Sequence, residues 1–453
     1  MSLRPKSHRA VKRLPVHTGP AGWEAILPPR APGVPLRGEA GCDVAIIGAG
    51  FAGLSAARHL RAADPALDIV VLEAGRIAQS SAGRNSGFMI DLPHDLTSSD
   101  YAGSGEAQDR VLTRLNRHAI DFAEAAAADY GLPEGTLRRS GKINGAASRV
   151  GEEANRTYAQ HLEDLREPHE VLDATQMREI TGSAYYSSGL FTPGTALIQP
   201  AGYIRGLASG ITSAGVRLFE ESPVIGFDST NAGWILKTPS ATLTAAKVIL
   251  ATNGHLESFG FKTGRLMHIM LNACMTAELP QEALAALGGQ ESWGLTPSDP
   301  MGCTVRRIAT PEGGNRIIIR QGGYYRPEMQ TSAADLARVT ASMRRKFDDR
   351  FPSLRGVPFE HAWSGHLCLS RNGVSVMREL EPGLYSACVQ NGLGTTRGTL
   401  TGIGAADLVL GRENEITRFF GAEAEPARLP PHPFDTIGAN VYLRWKEWQA
   451  RAE

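Results

Sequence analysis

The sequence predicts an α/β fold in which a domain with a parallel sheet carries an inserted α+β domain with a mostly antiparallel sheet. A strand, a helix and a second strand follow one another directly over residues 42–75. A long amphipathic pattern occupies residues 105–130, and residues 265–327 alternate short β-like runs with turn residues. The change from helical to strand periodicity along the chain indicates a helix-covered parallel sheet and a separate antiparallel sheet rather than one repeated unit.

The first unit contains two apolar runs of strand length, "DVAII" and "DIVVLEAG", on either side of "FAGLSAARHLRAA". In both runs the apolar residues are consecutive instead of alternating with polar ones. This pattern is typical of parallel strands whose two faces are covered by helices. The segment between them has the composition of a helix. We therefore predict a right-handed βαβ unit with a parallel strand pair, and we expect regular structure to start at Cys42.

The middle of the chain leaves this pattern and then returns to it. "GEAQDRVLTRLNRHAIDFAEAAAADY" places apolar residues on one helical face from Val111 to Ala126, and Gly131 is a suitable stop. "PAGYIRGLASGITSAG" predicts another helix, with strands in "VRLFEESPVIGF", "WILKTP" and "KVILATNG" after it. We predict an extended lead-in over residues 1–40, a first domain of residues 41–95, 200–258 and 360–415, an inserted domain of residues 96–199 and 259–359, and a C-terminal extension over residues 416–453.

Composition excludes several classes of protein. Lysine plus arginine and aspartate plus glutamate both number 47 among 453 residues, so net charge gives no reason to expect a nucleic-acid partner. The five cysteines are far apart and lack metal-ligand spacing, so we predict no metal site and no disulfide framework. No apolar run approaches the roughly 18 residues needed to span a bilayer, and the basic N-terminus lacks the apolar core of a secretory signal. We therefore expect a cytoplasmic protein.

A glycine cluster stands between the first strand and the first helix. Gly48, Gly50 and Gly53 fit G-x-G-x-x-G, and Glu73 ends the second strand 20 residues after Gly53. Such glycines allow a tight turn, a close approach of pyrophosphate to backbone, and close packing of helix on strand. Free N–H groups at the helix start attract phosphate, and an acidic residue can bind a ribose diol. A glycine-rich turn without a ligand is the alternative, but the full context predicts a Rossmann-like dinucleotide site.

Four separated motifs indicate which dinucleotide. "EAGRI" at Glu73 runs into "GRNSG" at Gly83, and "P-x-x-Y-x-x-x-L" at Pro200 precedes Val224. "VILATNG" and "NGLGTTRG" follow in the same order along the chain. Together they resemble the FAD-dependent amine and amino-acid oxidoreductases of the D-amino-acid oxidase superfamily, in the branch with γ-glutamylputrescine, glycine and sarcosine oxidases. The resemblance extends from Trp23 to about residue 411.

This resemblance implies FAD as cofactor, a FAD-binding first domain and a substrate-binding inserted domain. The residues that it implies for FAD binding are Gly48, Gly50, Phe51, Ala52, Gly53, Glu73, Ala74, Arg76, Ala82, Gly83, Arg84, Asn85, Ser86, Gly87, Val224, Ala251, Thr252, Gly254, Gly392, Gly394, Thr395 and Thr396. Cys368 falls near the position where sarcosine-type members link a cysteine to the flavin. Many relatives have no such bond, and a buried free cysteine in a strand is the favoured interpretation.

The resemblance further implies oxidation of a C–N bond in a small amine or amino acid, giving an imine that hydrolyses. The flavin carries this chemistry, so no catalytic triad is required. Arg320 and Tyr325 are candidates for substrate contact, since an arginine fork binds carboxylate or sulfonate oxygens, and Arg306 and Arg326 lie on or near the same predicted sheet. His94 is a further candidate because it follows the flavin loop, whereas His255, His268, His361 and His366 are scattered in sequence.

The sequence does not decide whether O₂ or another carrier accepts the electrons. Sarcosine-type oxidases use a lysine over the flavin to help O₂ react, and residues 263–345 contain no lysine, which favours a dehydrogenase that uses another carrier. One alternative is an FAD-bearing subunit of a heteromeric amine or opine dehydrogenase with a partner subunit. Another is an NAD(P)-dependent dehydrogenase, but this leaves the "GRNSG" and "NGLGTTRG" motifs unexplained.

Overall fold

The glycine cluster ends one buried strand and begins one buried helix. Gly48 has a φ of +104°, a backbone conformation that favours glycine, and the helix Phe51–Ala63 starts three residues later. The strands on either side, Gly38–Ile47 and Ile69–Leu72, pair in parallel as predicted. Their apolar residues are buried because helices and the second layer cover both faces of the sheet. The computed structural model describes residues 7–95, 102–103 and 105–453.

In the part of the chain that the structure describes, nine strands form the first sheet. The central four, in spatial order, are Leu384–Cys388, Ala241–Leu250, Gly38–Ile47 and Ile69–Leu72, and each adjacent pair among these four is parallel. The remaining strands extend or flank this centre: Ser7–Ala10, Arg217–Phe219, Gly226–Thr230, Gly233–Lys237 and Val376–Glu381. The helix Thr396–Val409 packs directly on Phe51–Ala63, so the two glycine-rich turns that precede these helices lie at the same edge of the sheet.

Within the described residues, eight strands form the second sheet, and only one neighbouring pair in it is parallel. In spatial order they are Phe359–Ser370, Leu266–Thr276, Arg316–Tyr325, Thr304–Ile308, Trp293–Pro297, Lys142–Ala146, Ser188–Thr192 and Glu170–Asp173. A small third sheet contains Phe88–Met89, Ala196–Ile198 and Leu137–Arg139. The predicted fold class, a parallel-sheet domain with a mostly antiparallel second one, is confirmed.

Helices cover the sheets and fill the connections between them. The α-helices other than the two named above are Gly22–Ala25, Glu106–Asp129, Arg149–Leu165, Ala174–Thr181, Pro200–Ser213, Gln281–Leu287, Thr310–Gly313, Ala333–Arg350, Glu415–Gly421 and Phe434–Gln449. Short 3₁₀ helices are Ser81–Gly83, Asn253–Phe259 and Pro352–Leu354. In the part of the chain that the structure describes, no helix is long and apolar enough to cross a membrane.

Three local expectations differ from the structure. The lead-in is not wholly irregular: Ser7–Ala10 pairs with Gly226–Thr230, and Gly22–Ala25 is helical. Regular structure in the first βαβ unit begins at Gly38 rather than Cys42. The two strands depend on partners more than 200 residues away, which a local pattern does not encode. The strand Phe359–Ser370 pairs in the second sheet, although most of it falls in a segment assigned from sequence to the first domain. Residues 1–6 of the lead-in and the predicted boundary at residue 96 lie outside the described residues.

Candidate active site

A cavity lies between the two sheets and receives side chains from both. Its first wall consists of the turns at the carboxyl ends of the parallel strands, including Gly48, Glu73 and Ala251. Its second wall is formed by strands of the second sheet, including Asn272, Arg320 and Ser364. Ligands of open α/β sheets bind at the carboxyl ends of strands, so this position agrees with the expected dinucleotide site.

The glycine turn provides a narrow cradle beside a helix start. A Cβ added to Gly48 would lie 2.6 Å from the carbonyl oxygen of Ala251, and one added to Gly53 would lie 1.8 Å from the carbonyl oxygen of Gly48. Gly50 lines the cavity, 3.5 Å from the Ala82 Cβ when a Cβ is built on it. The helix has no side-chain cap at Gly50, so its first N–H groups are available to an anion.

Glu73 lies across this turn with its carboxylate against the cavity. Its Oε2 accepts the Ala49 N–H at 2.8 Å and its Oε1 accepts the Gly75 N–H at 3.2 Å. Burial raises the pKa of Glu73, and the backbone N–H groups oppose that rise. Ala74 also lines the cavity, whereas Arg76 lies outside it. The carboxylate is therefore held in place by backbone donors while it faces the space where a ribose would bind.

The loop after the second strand contributes Ala82, Arg84, Asn85 and Ser86 to the cavity wall. Arg84 donates from Nε to the carbonyl of Gln79 at 2.7 Å, from Nη1 to that of Ser364 at 3.1 Å, and from Nη2 to that of Gly19. Burial lowers the pKa of Arg84 to about 10. Its guanidinium thus joins the loop to the second sheet and to the lead-in, which indicates a positioning role.

Two loop glycines have packing roles behind the wall. A Cβ on Gly83 would lie 1.9 Å from the Ala78 carbonyl oxygen. Gly87 has a φ of +77°, and a Cβ there would lie 2.4 Å from Nη1 of Arg306. Neither glycine lines the cavity.

The remaining predicted FAD residues come from three distant segments. Val224, Ala251 and Thr252 line the cavity, as do Gly392, Gly394 and Thr395. The helix Thr396–Val409 starts here without a side-chain cap, and a Cβ on Gly394 would meet nothing within 4 Å. Predicted residues that do not line the cavity are Gly53, Arg76, Gly83, Gly87, Gly254 and Thr396.

The cavity brings together two of the three residues predicted to contact substrate. Arg320 and His94 line the cavity, together with Thr296 and Thr304. Tyr325 lies outside it, because its hydroxyl donates to Oδ2 of Asp435 at 2.9 Å near the C-terminal helix. The C-terminal extension thus packs on the second sheet, and the Tyr325 side chain is bonded to that extension instead of facing the cavity.

Two other arginines of the same predicted sheet, Arg306 and Arg326, form hydrogen bonds and ion pairs within the protein. Arg306 donates to the carbonyls of Gly87 and Ile198, at 2.9 and 2.7 Å, and to Oε1 of Glu312 at 2.5 Å. Arg326 pairs with Asp335 at 3.2 Å. Arg320 is therefore the arginine of this group whose side chain contributes to the cavity wall.

Lys142 is a residue that sequence reasoning missed. It is 1% exposed, and its Nζ donates to Oδ1 of Asn144 and to Oγ1 of Thr296, the latter at 3.4 Å. Burial lowers its pKa to about 8, although Asp91 raises it. Burial together with the charges of Lys142 and Arg320 lowers the pKa of His94 well below its usual value. This end of the cavity is therefore electropositive. A lysine in the strand "KINGA" gives no local signal of such a position.

Histidines that are scattered in sequence meet at another part of the wall. Nδ1 of His268 lies 3.1 Å from Nε2 of His366, and Nε2 of His268 lies 3.0 Å from Oε2 of Glu257. Gly254 makes room for them, since a Cβ there would lie 2.5 Å from Cε1 of His366. Cys368 follows on the same strand, also lines the cavity, and burial raises its pKa well above the usual value.

A family model described as FAD dependent oxidoreductase matches residues 43–408, which include both walls of the cavity. The chain belongs to the DAO family of FAD-dependent oxidoreductases. It is an enzyme of this family, and FAD is its cofactor, so the predicted resemblance and cofactor are confirmed. The uncapped helix starts, the glycine cradle and the buried Glu73 fit a dinucleotide with an anionic pyrophosphate.

Individual relatives are distant but nearly full-length. The chain is 26% identical to the probable oxidoreductase OrdL of Rhizobium meliloti, over 89% of this chain and 91% of that protein. It is 26% identical to the gamma-glutamylputrescine oxidoreductase of Escherichia coli, over 87% and 88%. The crystal structure of glycine oxidase from Geobacillus kaustophilus superposes with a TM-score of 0.67 at 20% identity, covering 83% of this chain and 96% of that one. The last comparison shows that the DAO family fold is shared.

Proposed function

We propose that the enzyme oxidises the C–N bond of a small amine or amino acid that carries an anionic group. The observation that supports this substrate class is the electropositive second wall, where Arg320 and the buried Lys142 approach the same cavity as the FAD-binding turns. An arginine fork binds a carboxylate through two parallel hydrogen bonds, which fixes the orientation of a small substrate. Similarity to proteins named for γ-glutamylputrescine and glycine points to the same class.

When bound, FAD would supply the redox chemistry, the acceptance of a hydride from the substrate α-carbon, and the imine product would hydrolyse in water. The chain orients the two partners. Arg320 and Thr304, which are paired across neighbouring strands, hold the anionic end on the second wall. The turns at Gly50 and Gly394 hold the cofactor on the first wall. The N-terminal segment 11–18 also lines the cavity, with the Thr18 hydroxyl donating to the Thr331 carbonyl at 2.8 Å, and it limits access of water.

The test is a panel of amines mixed anaerobically with the purified holoenzyme while the visible flavin absorbance is followed. The panel contains glycine, sarcosine, D-alanine, putrescine, γ-glutamylputrescine and taurine. We expect bleaching by at least one member with a carboxylate or sulfonate, and weaker bleaching by putrescine, which has no anionic group. If no amine bleaches the flavin, the proposed function is wrong.

The electron acceptor is a separate proposal. Residues 263–345 contain no lysine, and the buried Lys142 is bonded to Asn144 and Thr296. We propose a carrier other than O₂ as the main acceptor, so bleached enzyme should recolour slowly in air and form little H₂O₂. Rapid peroxide formation would instead assign an oxidase. Cytoplasmic location and a partner subunit remain predictions, which cell fractionation and gel filtration of the purified protein would test.

A further inference from the structure

The cluster at Glu257, His268 and His366 has the form of a chain of hydrogen bonds that runs from the surface to the cavity. Glu257 lies in the 3₁₀ helix Asn253–Phe259, and its side chain is 20% exposed. His268 is 2% exposed and lies on the strand Leu266–Thr276, while His366 lines the cavity from Phe359–Ser370. Three separate elements thus place one carboxylate and two imidazoles in line.

The hydrogen-bond network assigns the protons on both rings. A carboxylate accepts, so Nε2 of His268 carries the proton that is donated to Oε2 of Glu257. With one proton on each ring, the other nitrogen of His268, Nδ1, accepts from Nε2–H of His366. The same rule leaves Nδ1 of His366 as an acceptor, on a ring that lines the cavity.

The surroundings keep His366 uncharged at neutral pH. Burial, followed by the nearby His268, His255 and His17, holds the pKa of His366 well below its usual value. His255 stands edge-on to His366, with ring centroids 6.0 Å apart, and Cys368 follows on the same strand. The pKa of His255 and of His17 is lowered to about 4, mainly by burial. Glu257 is the carboxylate of this group. Within the described residues, no cluster of three or more histidines, cysteines or acidic groups is arranged to hold a metal ion.

We propose that Glu257, His268 and His366 form a proton relay, with His366 as the base that takes a proton from the substrate ammonium before its C–H bond is oxidised. This inference rests on the proposed function. Nδ1 of His366 accepts the proton, and Nε2–H of His366 passes its own proton to Nδ1 of His268. Nε2–H of His268 passes its proton to Oε2 of Glu257, which releases it to water. This step changes no oxidation state: the N–H bond breaks and its electron pair stays on nitrogen as the lone pair that hydride loss requires.

The kinetic test measures anaerobic flavin bleaching against pH, with the panel amine that bleaches the wild-type holoenzyme fastest. Glu257→Gln keeps the size of the side chain but replaces the carboxylate that accepts the proton with an uncharged amide. His366→Gln removes the base. We expect both to slow bleaching near neutral pH on the order of 10²-fold. The rate should recover toward wild type above the pKa of a free amine, about 10, where the substrate arrives uncharged. His361→Gln, on the same strand but outside the cavity, is the matched control and should behave as wild type.

A second measurement requires no turnover. In ¹⁵N-histidine spectra of the holoenzyme, the rings of His268 and His366 should both carry a proton on Nε2. Glu257→Gln should change the His268 signals while FAD stays bound. A proton on Nδ1 of His366 would contradict the relay, as would variants whose bleaching falls equally at every pH or does not fall. Absence of bleaching in the wild type would overturn the proposed function instead, so the two failures are distinguishable.

Discussion

The carboxylate of Glu73 accepts the backbone N–H of Ala49 at 2.8 Å, which ties the end of one strand to the glycine turn after its neighbour. This hydrogen bond lies at the glycine turn, beside which the ribose and pyrophosphate of FAD are expected. One buried side chain therefore holds the turn, and we expect it to present an acceptor to the cofactor.

We expect Glu73→Gln to weaken FAD binding. Hydrogen bonds to a charged group contribute about 1.5–3 kcal/mol, so the Kd of apoprotein for FAD should rise about 10- to 100-fold. Fluorescence titration of FAD measures it. Asp68→Asn, before the opposite end of the same strand, removes an exposed pair with Arg217 and should leave the Kd unchanged. Equal effects of both substitutions would argue against a ribose contact.

Two glycines should separate packing from cofactor contact. Gly53→Ala places a Cβ against the Gly48 carbonyl oxygen, so it should destabilise the apoprotein by about 1–3 kcal/mol through overpacking. Gly394→Ala meets no protein atom within 4 Å, so it should leave the unfolding midpoint of the apoprotein unchanged while FAD affinity falls. Calorimetry of apoprotein and FAD titration of each variant test this. A lowered midpoint for Gly394→Ala would contradict the assignment.

Arg320 and Arg306 should respond differently to removal of charge. Arg320→Gln should raise KM for a carboxylate-bearing amine at least about 10-fold, because one charged hydrogen bond or more is lost. Its unfolding midpoint should stay near that of wild type. Arg306→Gln leaves the buried carboxylate of Glu312 without its cation and should lower the midpoint. Steady-state kinetics and thermal unfolding distinguish the two. A KM for Arg320→Gln equal to wild type would remove Arg320 from the substrate site.

Cys368 should remain a free thiol. It is fully buried, and burial raises its pKa, whereas formation of a flavin thioether requires a nucleophilic thiolate. Denaturation in SDS should therefore release all of the flavin, and Cys368→Ala should still bind FAD. A fluorescent flavin band that stays with the polypeptide would establish the covalent link.

Local sequence predicted much of the first domain and part of the site. The apolar strands, the glycine turn and Glu73 are neighbours in sequence or separated by one helix, and their spacing follows from a βαβ unit. The motifs at Gly83 and Gly392 indicated FAD because their residue types match a family, and the family match confirmed the cofactor.

The second wall was harder to predict for a physical reason. Lys142 and Thr296 meet because their strands are neighbours in the sheet, and His268 meets His366 because Leu266–Thr276 and Phe359–Ser370 pair in one register. A register shift of one residue would turn each side chain to the opposite face. Sequence by itself determined the fold class and the cofactor. Only the tertiary structure decided which titratable groups share the cavity. The local pattern of apolar and polar residues does not specify which distant strands pair or in which register.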